Sequence, residues 1–174
     1  MSRQLADPHA SMLSFQQGLL QGILDISRVR PHDDLYSHFD EPARGVGRLT
    51  YVRLDESRKK VRAFISCIMN GQEDGAPCIA VGYAVPKALR GKGLAKLILQ
   101  DAIKDQVVMA GRAGHAKVLI EAVIDVENVP SQRVAEFAMK VEREPVTDNE
   151  SQRPAYRYTA TYETATGRQL DGQG

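Results

Sequence analysis

Residues 85–95 read Val85-Pro86-Lys87-Ala88-Leu89-Arg90-Gly91-Lys92-Gly93-Leu94-Ala95, which brings three basic side chains and two glycines into one short span. The span lies between an apolar run, 77–85, and a stretch of helical periodicity that begins near Lys92. Such a junction leaves backbone N–H groups without partners at the helix start, where the helix dipole is positive. A phosphate suits both features. Gly91 and Gly93 remove side chains that would obstruct a close approach. The chemistry on offer is anion binding, and the plain alternative is a basic surface turn. The segment is not a phosphate-binding P-loop, because it lacks the Gly-Lys-Ser/Thr ending. Nor is it Gly-x-Gly-x-x-Gly, because Lys96 stands where the third glycine would be.

Proton chemistry has fewer candidates. Glu121 stands inside Val118-Leu119-Ile120-Glu121-Ala122-Val123-Ile124. An acid within such a run is uncommon, and burial would raise its pKa toward that of a useful base. The structural alternative is an acid paired with an arginine or exposed beyond the helix layer. Asp125 shares the face of Glu121 by strand alternation and is nearer the strand end. Tyr83 lies in the apolar strand before the basic loop and could line a cleft. Tyr156 and Tyr158 could supply a proton or simply pack. His9, His32, His38 and His115 form no cluster, and Cys67 and Cys78 sit apart in apolar runs as buried thiols. No metal site is expected.

These residues need elements to hold them. Met12, Phe15, Leu19, Ile23 and Ile26 recur at helical spacing, and a second short helix is expected from Asp33 through Phe39. Strands follow at 46–54, 61–69 and 77–85, with a charged hairpin turn at 55–60. A helix from Lys92 to about Ala110 and a strand at 117–124 complete a parallel crossover unit. Asn128 would cap a helix at 130–140, with Pro130 and Ser131 in its first turn. The stretch 142–150 lacks periodicity, and 156–162 alternates as a final strand. Residues 1–10 and 165–174 read as unordered flanks of a single domain.

Arg90-Gly91-Lys92-Gly93-Leu94-Ala95 resembles the Arg/Gln-x-x-Gly-x-Gly/Ala signature of the Gcn5-related N-acetyltransferases, and Asn128-Val129-Pro130-Ser131 resembles the Asn and Pro-Ser that follow in that family. The resemblance implies an α/β fold (an α+β mixed sheet), with a central mixed β-sheet flanked by helices. It implies acetyl-CoA as cosubstrate, its pyrophosphate gripped by backbone amides around Leu89, Arg90, Gly91, Lys92, Gly93, Leu94 and Ala95. Asn128 or Ser131 would contact the CoA arm. An N–H near Ala84 or Val85 would polarise the thioester carbonyl, and Glu121, Asp125 or Tyr83 would serve the amine. The chain departs from the family pattern after Lys140, where Val141-Glu142-Arg143-Glu144 replaces a Gly-Phe pair. Phe137 and Met139 stand near the position of the family's frequent acid tyrosine.

The totals exclude little but point the same way. The chain has 174 residues, 23 basic and 22 acidic, so its net charge of +1 names no polyanionic partner. No basic-then-apolar leader opens the chain, and no stretch approaches the ~20 apolar residues of a membrane span. The expectation is a cytoplasmic N-acetyltransferase acting on a small-molecule or peptide amine, with no nucleic acid or membrane partner and a homodimer possible. The alternative is a non-catalytic CoA-binding or protein-interaction domain on the same fold.

Overall fold

A computed structural model describes residues 7–172. The class is the expected α/β one, a central mixed β-sheet with flanking helices. The chain forms two compact units, one of residues 7–68 with Gly82–Leu99, the other of Met69–Val81 with residues 100–172. The divisions fall inside strands and a helix, so no linker composition marks them in the sequence.

In the first unit, α1 (Pro8–Leu20) starts at Asp7, whose carboxylate accepts the His9 N–H at 3.1 Å. Pro8–Ala10 therefore belong to a helix rather than to an unordered flank; residues 1–6 lie outside the described residues. The helix ends well short of Ile26. Gly22 turns left-handed at φ 69°, and Ile23, read as part of the apolar face, is 71% exposed. Met12 and Phe15 pack with Tyr36, Val52, Leu54, Val61 and Phe64.

The second helix is absent among the described residues. After β1 (Ser27–Arg28), residues Leu35–Ala43 form β2, antiparallel to β3 (Val46–Leu54) through a turn at Gly45. The helical spacing of Tyr36 and Phe39 misled because strand pairing overrides local pattern. Leu35 and Tyr36 are buried on opposite strand faces, and Asp40 stands opposite Arg48 with an Nε–Oδ1 distance of 2.8 Å. β4 (Val61–Glu73) pairs antiparallel with β3, giving the local order β1-β2-β3-β4. The expected hairpin turn is built by Asp55, which accepts the N–H groups of Lys59 and Lys60, each at 3.1 Å.

In the second unit the strand order is β5-β6-β8-β7: β5 (Ala76–Ala84), β6 (Lys117–Asp125), β8 (Pro154–Glu163) and β7 (Glu144–Thr147). β5 and β6 are parallel and the other pairs antiparallel. α2 (Leu94–Arg112) supplies the crossover between β5 and β6, and α3 (Val129–Met139) follows β6. β7 was missed because its four residues carry no alternation and include Pro145, which suits an edge strand. Residues 165–172, expected without order, fold back on β8. Leu170 N–H donates to Thr161 O at 2.8 Å, and Thr161 N–H donates to Asp171 at 2.9 Å; residues 173–174 lie outside the described residues. Cys67 and Cys78 are buried and not joined in a disulfide. Among the described residues no helix is long and apolar enough to cross a membrane.

Candidate cofactor site

The basic loop lies wholly in the first unit. Tyr83 and Val85 are both buried, each 8% exposed, and they anchor the end of β5. Gly82 has no room for a side chain: an added Cβ would meet the Pro8 ring at 3.0 Å, so the start of α1 presses on this strand. After Pro86, a 3-10 turn (Lys87–Leu89) closes with Leu89 N–H on Pro86 O at 2.9 Å. Arg90 is extended, at φ −68° and ψ 155°, and its Nε donates back to Val85 O at 3.3 Å. Part of the basic charge therefore braces the loop.

Gly91 and Gly93 then adopt φ values of 78° and 76°. Only glycine holds that region without strain. A Cβ added at either would meet nothing within 4 Å. The glycines thus serve the backbone's path, and the space before them is open. Leu97 N–H makes the first intrahelical bond, to Gly93 O at 3.2 Å. That bond opens a 19-residue helix, and the positive end of its dipole lies at the loop. Leu94 and Ala95 are half-buried, while Ile98 and Leu99 are fully buried and fix that end of α2. Lys87, Arg90 and Lys92 stay exposed beside the open space.

The second unit holds the other sequence-predicted residues. Asn128 is the N-cap of α3, its Oδ1 accepting Ser131 N–H at 3.3 Å, with Pro130 in the first turn. Asp125 is engaged. Its Oδ2 accepts from Arg153 Nε at 2.7 Å and its Oδ1 from Glu127 N–H at 2.9 Å. The backbone bond from Glu127, followed by Arg153, holds its carboxyl below the usual carboxylate range. A carboxylate so occupied makes a brace and a poor base.

Glu121 is different. The parallel ladder of β5 on β6 runs from Cys78–Leu119 to Ala80–Glu121, so this acid stands at its last rung, with Thr159 of β8 opposite. The carboxyl is half-buried. Burial lifts it above the ordinary range; the guanidinium of Arg157 pulls it down, and Glu73 and Glu144 push it up again. Arg157 makes its hydrogen bonds to Glu144, at 2.7 Å from Nη2, and acts on Glu121 through its charge. On the same face the Cys78 thiol is pushed up to about 11 by burial, then by Glu121 and Glu73, and stays protonated at neutral pH.

The tyrosines of β8 pack. Tyr158 is fully buried and its hydroxyl donates to Glu136 Oε1 at 3.2 Å; Arg143 lies over the Tyr156 ring at 4.0 Å. Burial and then Glu136 raise the Tyr158 pKa, which makes it a weaker acid. Tyr158→Phe is expected to lower stability by about 1 kcal/mol, the worth of one hydrogen bond. It should leave turnover far from the ~100-fold loss that removing a general acid brings. A melting curve beside a rate assay checks both. Sequence reasoning missed Gln132, which is buried and hydrogen-bonded to the exit of β6. A polar residue in a helix's second turn carries no sequence signal of burial.

The acetyltransferase (GNAT) family model matches residues 19–139, which include the basic loop, β6 and α3. Among solved structures, a chimera of the spermidine N-acetyltransferase SpeG from Vibrio cholerae and hSSAT matches with a TM-score of 0.50. Its identity is 16%, over 68% of this chain and 68% of that one. A mutant of the Vibrio cholerae SpeG matches with a TM-score of 0.51 and 16% identity, over 64% of this chain and 63% of that one. At such identity the likeness shows the fold alone. No curated protein sequence matches. Because the family model covers well over half of the 174 residues, the chain belongs to the acetyltransferase (GNAT) family.

Proposed function

We propose that this protein is an N-acetyltransferase that moves an acetyl group from acetyl-CoA to an amine of a small molecule or peptide. The loop at 85–95 carries the reading: two left-handed glycines facing open space, a braced arginine, and the start of a long helix. That cradle fits a pyrophosphate in charge, in donor type and in room. Backbone donors from Leu89 through Ala95 would hold the pyrophosphate, N–H groups at Ala84 or Val85 would face the acyl carbonyl, and Asn128 and Ser131 would contact the CoA arm. The cosubstrate supplies an acyl group already activated as a thioester. The chain's own work is to orient it, polarise its carbonyl and take a proton from the incoming ammonium; the C–N bond forms, the C–S bond breaks, and CoA leaves as a thiolate that takes up the amine's second proton, directly or through solvent. Glu121 is the proposed acceptor of that proton, since burial raises its carboxyl above the ordinary carboxylate range and so makes it a stronger base. Asp125 and Tyr83 remain as orienting residues. The reading takes the protein as cytoplasmic, with no nucleic acid or membrane partner, and admits a homodimer.

The test is release of free thiol from acetyl-CoA against a panel of amines. The panel includes a polyamine, because two of the similar solved structures are of spermidine N-acetyltransferases, together with an aminoglycoside and short peptides. Amine-dependent thiol release supports the reading. A specific observation favours one other outcome: α3 carries no tyrosine, and the nearby Tyr158 hydroxyl is already bonded to Glu136. Saturable acetyl-CoA binding with no transfer to any amine would make the protein a CoA-binding or interaction domain.

A further inference from the structure

The turn between β6 and α3 is held from two sides. On its outer side Arg153, just before β8, bridges Asp125 at 2.7 Å and Glu127 at 2.5 Å. Arg153 and Glu127 are both largely exposed, and an ion pair in water contributes little. On its inner side stands Gln132, only 4% exposed. Its Nε2 donates to two consecutive carbonyls at the strand exit, Asp125 O and Val126 O, each at 3.0 Å. Its Oε1 accepts from Arg143 Nη1 at 3.3 Å, and Arg143 is in turn stacked on Tyr156. A buried amide with each end bonded is a strong constraint, because breaking one bond leaves polar groups unpaired away from water.

We propose that Gln132 is a positioning residue for cofactor binding: by clamping the carbonyls of Asp125 and Val126 it sets the turn that presents Asn128 and the first turn of α3. The inference rests on the reading of Asn128 and Ser131 as contacts to the CoA arm. Two features make the turn sensitive. Asn128 Oδ1 is committed to the helix cap, so this side chain cannot reorient to follow a displaced backbone without uncapping α3. The clamp also runs through Arg143, which lies over the Tyr156 ring, so Gln132 links β8 to the turn. A displacement of about 1 Å in a positioning group can cost on the order of 100-fold in function.

The experiment uses the full chain and acetyl-CoA itself. Gln132→Met keeps the shape and removes each bond; Gln132→Glu keeps an acceptor for Arg143 and removes the donor to the two carbonyls. Tyr158→Phe, which also removes a hydrogen bond beside α3, is the control for general loss of stability. Calorimetry gives Kd for acetyl-CoA, steady-state kinetics separate KM from kcat, and a melting curve reports folding. The expected result for both Gln132 variants is a Kd and KM for acetyl-CoA raised by roughly 10- to 100-fold. Saturating acetyl-CoA should restore most of kcat, and Tyr158→Phe should melt earlier with Kd unchanged. A folded Gln132→Met with wild-type Kd overturns the assignment. So does failure of both Gln132 variants to fold, which would make Gln132 a residue of the fold and not of the turn. If the wild type itself binds no acetyl-CoA, the functional reading fails first and takes this inference with it.

Discussion

Gly93→Trp is expected to abolish saturable acetyl-CoA binding, with Kd raised at least ~100-fold, or about 2.7 kcal/mol. The position is chosen because a side chain there enters open space and not the protein interior: beyond the adjacent residues, nothing lies within 4 Å of the Cβ it would add. The protein should therefore accommodate the indole, which fills the volume in front of the helix-start amides. What the substitution does strain is the backbone, since Gly93 sits at φ 76°. An L-residue in that region costs on the order of 1–2 kcal/mol, so the variant should melt several degrees early and still fold. Gly93→Ala carries the same strain without the bulk. Calorimetry should rank the affinities as wild type, alanine, tryptophan. Equal affinity for wild type and a folded tryptophan variant would remove the loop from the site and return it to a surface turn.

The second large effect is expected at Glu121. Glu121→Gln should lower kcat by roughly 100- to 10,000-fold, the range for losing a general base, with acetyl-CoA affinity unchanged. The pH dependence follows from the burial that raises this carboxyl. A base must be ionised, so wild-type activity should fall as pH drops through the raised pKa. The acid limb should lie above the ordinary carboxylate range and vanish in the glutamine variant. Stability supplies a second reading of the same group. A raised folded pKa means the fold favours the protonated acid. That contribution is full below the unfolded pKa and is lost as pH rises through the folded one. The ionised form is therefore a burden at neutral pH, one that glutamine does not carry. Glu121→Gln should melt at or above the wild-type temperature at pH 7, and the difference should shrink toward pH 4. A variant with full activity and an unshifted pH profile would leave Glu121 a structural acid.

Local physics made much of this chain legible. The strand at 46–54 is found with the bounds expected, and those at 61–69, 77–85 and 117–124 differ only at their ends. Each is a run of apolar and β-branched residues closed by turn residues, so periodicity and punctuation agree. The two helices after the basic loop were equally plain, because glycines mark the start of α2 and an Asn-x-Pro cap marks that of α3. The N-terminal part misled for a related reason. Tyr36 and Phe39 have helical spacing, yet Asp40 and Arg48 meet across a strand pair. β7 was invisible because an edge strand of four residues, paired along one side to β8, needs no alternating pattern.

The candidate site divides along the same line. Residue type and order in the chain alone determined the basic glycine loop, its place between an apolar strand and a helix, the Asn-Pro cap and the odd acid at position 121. All of these depend on neighbours in sequence. Tertiary structure alone decided what each acid and tyrosine has beside it. Asp125 is taken up by Arg153, 28 positions away; Tyr158 by Glu136; and Arg157 by Glu144, which leaves Glu121 half-buried without a direct partner in that group. It alone showed that Gln132 is buried and clamps the strand exit. The reason is physical. Backbone conformation answers to local propensity and spacing, whereas the protonation and freedom of a side chain answer to charges and burial brought close by strand pairing between residues far apart in the chain.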